Sequence, residues 1–168
     1  MKKITSIIMI GLFLLGNTSL LANNTESSLL QDALQQYMAV KDALVKSDQK
    51  LTAASSKLFA TSLEAVKMDQ LTSEEHSVWM KVGADLKELS QQMSVADLKQ
   101  QRNLFIQLTS GMYALVKSAK LETATYYQYC PMANNGKGAN WLSKENQIKN
   151  PYYGNQMLSC GKVVETIK

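Results

Sequence analysis

From Ser28 to Lys46 the apolar residues Leu30, Ala33, Leu34, Tyr37, Met38, Val40 and Leu44 recur at steps of three and four, one stripe of an amphipathic helix. The pattern restarts after Ser47, where Asp48 is placed to cap a second helix with Leu51, Ala54, Leu58, Ser62, Ala65 and Val66 predicted on its buried side. Thr72-Ser73-Glu74-Glu75 has the spacing of a capping box, in which a Thr oxygen and a Glu carboxylate each accept from an orphan amide at a helix start. The third helix then runs through Val78, Trp79, Val82, Leu86 and Leu89. Ser94-Val95-Ala96-Asp97 reads as a weaker form of the same signal and opens a fourth helix through Leu98, Phe105, Leu108, Met112, Leu115 and Ala119. Short polar joints between such stripes favour antiparallel neighbours. The expected fold is mainly α, an antiparallel four-helix bundle over residues 23–122.

After Leu121 the helical period stops. Thr123 to Tyr129, rich in Thr and Tyr, reads as a short strand, and Asn134-Asn135-Gly136-Lys137-Gly138 supplies residues that tolerate positive φ in turns. Asn150-Pro151-Tyr152-Tyr153-Gly154 is a second turn, and Lys162 to Ile167 is a final strand able to pair with the first. Residues 123–168 therefore predict an irregular, aromatic-rich cap packed on the bundle in the same domain, with room for a short β-hairpin.

The chain opens differently. Met1-Lys2-Lys3, the apolar run Ile4 to Leu15 and a polar exit from Gly16 to Ala22 form a secretory signal peptide pattern over residues 1–22. The apolar run is shorter than a membrane span, so removal near Ala22 is expected, leaving an exported, periplasmic protein without a membrane span. The 168-residue chain without that leader suits one domain. Its formal charge of +4 falls to +2 once Lys2 and Lys3 leave, too weak a balance to point to a nucleic-acid partner.

Both cysteines, Cys130 and Cys160, lie in the tail. In an oxidising compartment a disulfide between them is one reading. Each also has a methionine close by, in mirrored order: Cys130-Pro131-Met132 against Met157-Leu158-Ser159-Cys160. Thiols and thioethers are soft donors that select soft cations, above all Cu(I). In an extended segment residues two apart share a face, and three apart they share a face of a helical turn, so a tail folded on itself can converge four sulfurs. Taken singly, either methionine is more often a packing residue than a ligand.

Four tail segments carry a family likeness: Tyr129-Cys130-Pro131-Met132-Ala133, Gly138-Ala139-Asn140-Trp141-Leu142-Ser143, Ile148-Lys149-Asn150-Pro151-Tyr152-Tyr153-Gly154 and Met157-Leu158-Ser159-Cys160-Gly161. With Gln101-Arg102 and Phe105 upstream, they resemble domain-of-unknown-function family 3347. That family occurs as an exported stand-alone bacterial domain and attached to periplasmic adaptor proteins of copper and silver efflux systems. The resemblance implies a small periplasmic helical domain associated with the handling of a heavy metal, Cu(I) or Ag(I), with an efflux adaptor as partner. Cys130, Met132, Met157 and Cys160 are the matching positions; their assignment as ligands rests on softness and spacing.

His76, the lone histidine, is a secondary ligand candidate on the third helix, since imidazole also suits copper. Trp141, Tyr129 and Pro131 are candidate supports, Trp141 as a shield over the site or as a core anchor. The sequence has no His-Glu-x-x-His, no Cys-x-x-Cys-His and no thioredoxin-like Cys-x-x-Cys. An enzyme is the least favoured class. Two readings stand: a metal-binding module, or an interaction module in which a Cys130–Cys160 disulfide pins the tail and a surface around Tyr126, Tyr127, Tyr152 and Tyr153 meets a partner.

Overall fold

The computed structural model describes residues 28–119, 121 and 123–168; the predicted signal peptide, 1–22, lies outside them. Among the described residues four α-helices come first, α1 (Ser28–Val45), α2 (Gln49–Glu64), α3 (Ser73–Met93) and α4 (Leu98–Ser118). Three strands follow, β1 (Thr125–Cys130), β2 (Ala139–Ser143) and β3 (Lys162–Ile167). Each helix packs on the next in sequence, and α1 returns to α4.

Local chemistry sets most helix ends. The Asp48 side chain accepts from Leu51 N at 2.9 Å. Thr72 and Glu75 form the reciprocal capping box, with Thr72 N donating to Glu75 Oε2 at 2.8 Å and Glu75 N to Thr72 Oγ1 at 3.3 Å. At α4 the cap is Asp97, whose carboxylate accepts from Gln100 N at 2.8 Å. Ser94, expected to open that helix, instead closes α3, its hydroxyl donating to Gln91 O. A carboxylate adjacent to Leu98 serves the helix start directly, which leaves Ser94 free for the preceding turn.

The α1 stripe is buried as its spacing predicts, from Leu30 through Leu44. On α2 the buried face is different from the expected one: Leu51 and Leu58 are exposed at 40% and 60%, while Thr52, Ser55, Ser56, Phe59, Ala60 and Leu63 face inward. The largest side chain decides the rotation, because Phe59 meets Tyr37 edge-on with centroids 6.3 Å apart. Two of the hydroxyls that turn inward with it bond carbonyls one turn earlier, Thr52 Oγ1 donating to Asp48 O at 2.7 Å and Ser56 Oγ to Thr52 O at 2.8 Å. Small satisfied residues let the helices approach closely at little polar cost.

The cap is a sheet of order β2-β1-β3, antiparallel throughout, rather than a single hairpin. β3 pairs with β1 over the expected residues, with a bulge between Tyr127 and Gln128. The sheet shares one core with the helices. Tyr37 of α1 stacks on Phe105 of α4, and its hydroxyl bonds Thr109 Oγ1 at 2.8 Å and accepts from Leu142 N of β2 at 3.1 Å. That phenol joins two helices and the sheet, and burial holds its pKa far above the ordinary tyrosine value. On β3, Glu165 accepts from Tyr113 Oη and Lys117 Nζ of α4, both at 2.6 Å.

Candidate functional site

Cys130 ends β1, and the turn that follows carries Met132 and returns the chain to β2. The turn is built on three consecutive residues with positive φ, Asn134, Asn135 and Gly136. It closes through Gly138 N to Ala133 O at 2.9 Å, which pairs Cys130 with Ala139 across the ladder. Gln128 and Cys130, two apart on the strand, are both fully buried. Gln128 Nε2 donates to the Glu145 carbonyl at 2.9 Å and so draws the connection after β2 over that face.

The second cysteine reaches the first through Asn150. This fully buried residue donates from its backbone N to Leu158 O at 2.9 Å and from Nδ2 to Cys160 O at 2.9 Å, while its Oδ1 accepts from Tyr152 N at 2.8 Å. Gly161 then turns the chain into β3 at a φ of 142°, and a Cβ there would sit 2.8 Å from the Trp141 ring and 2.9 Å from Tyr129 O. Only glycine fits so close an approach. The result is two thiols in direct contact, Cys130 Sγ 2.7 Å from Cys160 Sγ, although thirty residues separate them in sequence. Both are free cysteines.

The pair is asymmetric. Cys130 is sealed, whereas Cys160 is half-buried and forms the mouth. The hydrogen bond with Cys130, then burial and the nearby Cys130 charge, push the Cys160 thiol upward, and the Met132 backbone N–H works against them. Cys160 N donates to Met157 O at 3.0 Å. Backbone contacts therefore bring both methionine segments to Cys160, while the methionine side chains lie at the surface, Met132 at 52% and Met157 at 36% exposure, next to exposed Leu158.

Of the supports, Trp141 is completely buried and meets Tyr152 edge-on at 6.1 Å. It is a wall of the core behind Gly161, the residue that follows Cys160. Tyr129 packs against Gly138, and Pro131 begins the turn. His76 is not brought to the sulfurs. It is exposed on the first turn of α3, which runs antiparallel to α4 with Leu86 against Gly111. That places it near the C-terminal end of α4, whereas the turn after Cys130 lies beside Leu98 to Ile106; the 21-residue α4 spans about 30 Å between those ends. Among the described residues no three of His, Cys, Asp and Glu converge as a metal cluster.

Of the four tyrosines expected at a surface, one is inside and three are partly exposed. Tyr152 is buried, Tyr127 stacks on Tyr113 with centroids 4.1 Å apart, and Tyr126 and Tyr153 are half-buried. Asn150 was legible in sequence only as part of a turn. Its Asn-Pro context signals a side chain that bonds the backbone two residues on, but not the reach to residue 160.

The profile of the family described as Protein of unknown function (DUF3347) matches residues 33–124, more than half of the chain. The chain belongs to that family. The match covers the four helices almost entirely and stops before β1, so the sulfur-bearing tail of this DUF3347 chain lies outside the matched residues. No curated protein and no solved structure matches the chain significantly. No helix among the described residues is long and apolar enough to cross a membrane.

Proposed function

We propose that the chain is an exported, periplasmic module that binds a soft monovalent cation, Cu(I) or Ag(I), in heavy-metal efflux or homeostasis, and hands it to a periplasmic efflux adaptor. The observation that carries this reading is the contact between Cys130 and Cys160 at a mouth flanked by the Met132 and Met157 segments. Two thiolates suit a soft cation, and unbranched methionine side chains at the surface can swing in as third ligands or receive the ion on entry. The metal is cargo here. The protein's part is to hold two sulfurs together and to desolvate one side of the ion with Trp141 and the core behind it.

A second reading rests on the same contact. On it, exchange with a disulfide oxidant joins the two thiols in a bridge that ties the end of β1 to the segment before β3, and exchange with a dithiol reductant, itself oxidised to a disulfide, returns both thiols and opens the metal site. Sealed Cys130 favours this, because a bridge there is shielded from exchange on one side.

Titration of reduced protein with Cu(I) against a chromophoric chelator tests the proposal. One ion per chain is expected, with binding abolished in Cys130→Ser and Cys160→Ser and weakened in Met132→Leu and Met157→Leu. Unchanged competition in both cysteine variants refutes the site. Thiol counting on protein drawn directly from the periplasm separates the redox states: two free thiols leave no place for the bridge, and none leaves no standing metal site.

A further inference from the structure

A cleft of about 460 Å³ lies between the first half of α4 and the tail. Ile106, Ala133 and Tyr152 line it, with Lys99, Arg102 and Asn135 among its polar residues, and no Asp or Glu contributes. Arg102 is half-buried. Its Nε donates to Pro151 O at 3.1 Å and its Nη2 to Ser47 Oγ at 2.9 Å. These bonds fix the guanidinium but bring no negative charge to it. The ion pairs of the described residues join other lysines to Asp42, Glu165 and Glu145; among those residues neither Arg102 nor Lys99 has a carboxylate at ion-pair distance.

A desolvated cation without a counter-charge is costly, and burial duly depresses the Arg102 pKa. A clamping role between the α1–α2 turn and the tail accounts for Nε and one hydrogen of Nη2. Among the described residues it leaves both Nη1 hydrogens and one of Nη2 without a partner, charged donors that a carboxylate can accept from. The cleft volume falls in the range of small-ligand sites, about 300–1,000 Å³.

We propose that this cleft binds a carboxylate-bearing ligand, taken on the remaining Nη hydrogens of Arg102 with Lys99 supplying the second positive charge. The carboxylate comes either from a free polycarboxylate or from an acidic segment of a partner protein. The site is separate from the thiol pair and does not depend on the metal reading. It does share the 132–135 turn and the 151–156 segment with it, so an occupied cleft would steady the chain on both sides of the sulfurs.

The test is an amide-shift titration of metal-free, reduced protein with citrate, with a capped tetraglutamate peptide, and with sulfate as the control anion. Saturable shifts are expected at residues 98–106, 133–135 and 152–156. Lys99→Gln should weaken binding several-fold and Arg102→Gln by about tenfold or more, as charge-assisted bonds require. Lys162→Gln, outside the cleft, leaves it unchanged. Tighter citrate identifies a free polycarboxylate and tighter peptide an acidic partner; either supports the site. The proposal is overturned if neither carboxylate gives saturable shifts, or if sulfate matches both. Because Arg102→Gln also removes the clamp, exposed Lys99 provides the independent arm: unchanged binding in Lys99→Gln overturns the proposal. Loss of Cu(I) binding would leave every one of these outcomes untouched.

Discussion

Asn150 is where a single substitution should reach the site without touching a sulfur. Asn150→Ala removes two side-chain hydrogen bonds in a fully buried position, leaving the Tyr152 N–H and the Cys160 carbonyl without those partners. Each stranded buried group costs about 1–3 kcal/mol, so with partial relaxation towards solvent at half-buried Cys160 the loss should be about 2–4 kcal/mol. Urea denaturation followed by far-ultraviolet circular dichroism reads this as a midpoint shift of about 1–2 M for a slope near 2 kcal/mol/M. Asn150→Asp separates the two bonds. It keeps the acceptor for Tyr152 N but turns an oxygen towards the Cys160 carbonyl, and a buried carboxylate there has its pKa raised. Its protonated form can donate to that carbonyl, so Asn150→Asp should regain stability relative to the wild type as pH falls, whereas Asn150→Ala should not. The thiol pair should follow, with disulfide formation in a glutathione buffer weakened in both variants at neutral pH. A midpoint within error of wild type for Asn150→Ala, or an unaltered thiol equilibrium, would refute the claim that Asn150 holds Cys160 in place.

Two further outcomes follow from how the sheet is attached. Tyr37→Phe removes the hydroxyl shared by Thr109 and Leu142 N, and should cost about 1–3 kcal/mol while leaving helix content intact; a loss under about 0.5 kcal/mol would deny the phenol its role as a joint. Glu165 has its carboxyl held below the ordinary 4.5, first by the hydrogen bond from Lys117 and then by that from Tyr113. A depressed carboxyl contributes stability above its unfolded pKa and loses it as pH falls through the folded value. The difference in melting temperature between wild type and Glu165→Gln should therefore be present at neutral pH, begin to shrink near 4.5 and vanish once pH has fallen through the lower folded value; parallel curves across that window would exclude the linkage.

What the sequence determined by itself is what neighbours along the chain decide. The α1 stripe, the Asp48 cap and the Thr72–Glu75 box depend on contacts three or four residues apart, and a helix start is fixed by whichever oxygen reaches its free amides. The β3 segment and the positive-φ turn at Asn134 were likewise legible, because residue type limits backbone angles directly. The inward face of α2 was not, since two apolar stripes compete there and only the position of Tyr37 selects Phe59 over Leu51 and Leu58. Nor did the mirrored Cys-Pro-Met and Met-Leu-Ser-Cys spacing determine which sulfurs meet. That depends on the register of β1 with its two neighbours and on a buried asparagine ten residues before Cys160. The tertiary structure joined the thiols, put the methionine side chains at the surface and left His76 towards the far end of α4. Such contacts span tens of residues, and their free energy exists only once the whole core has closed around them.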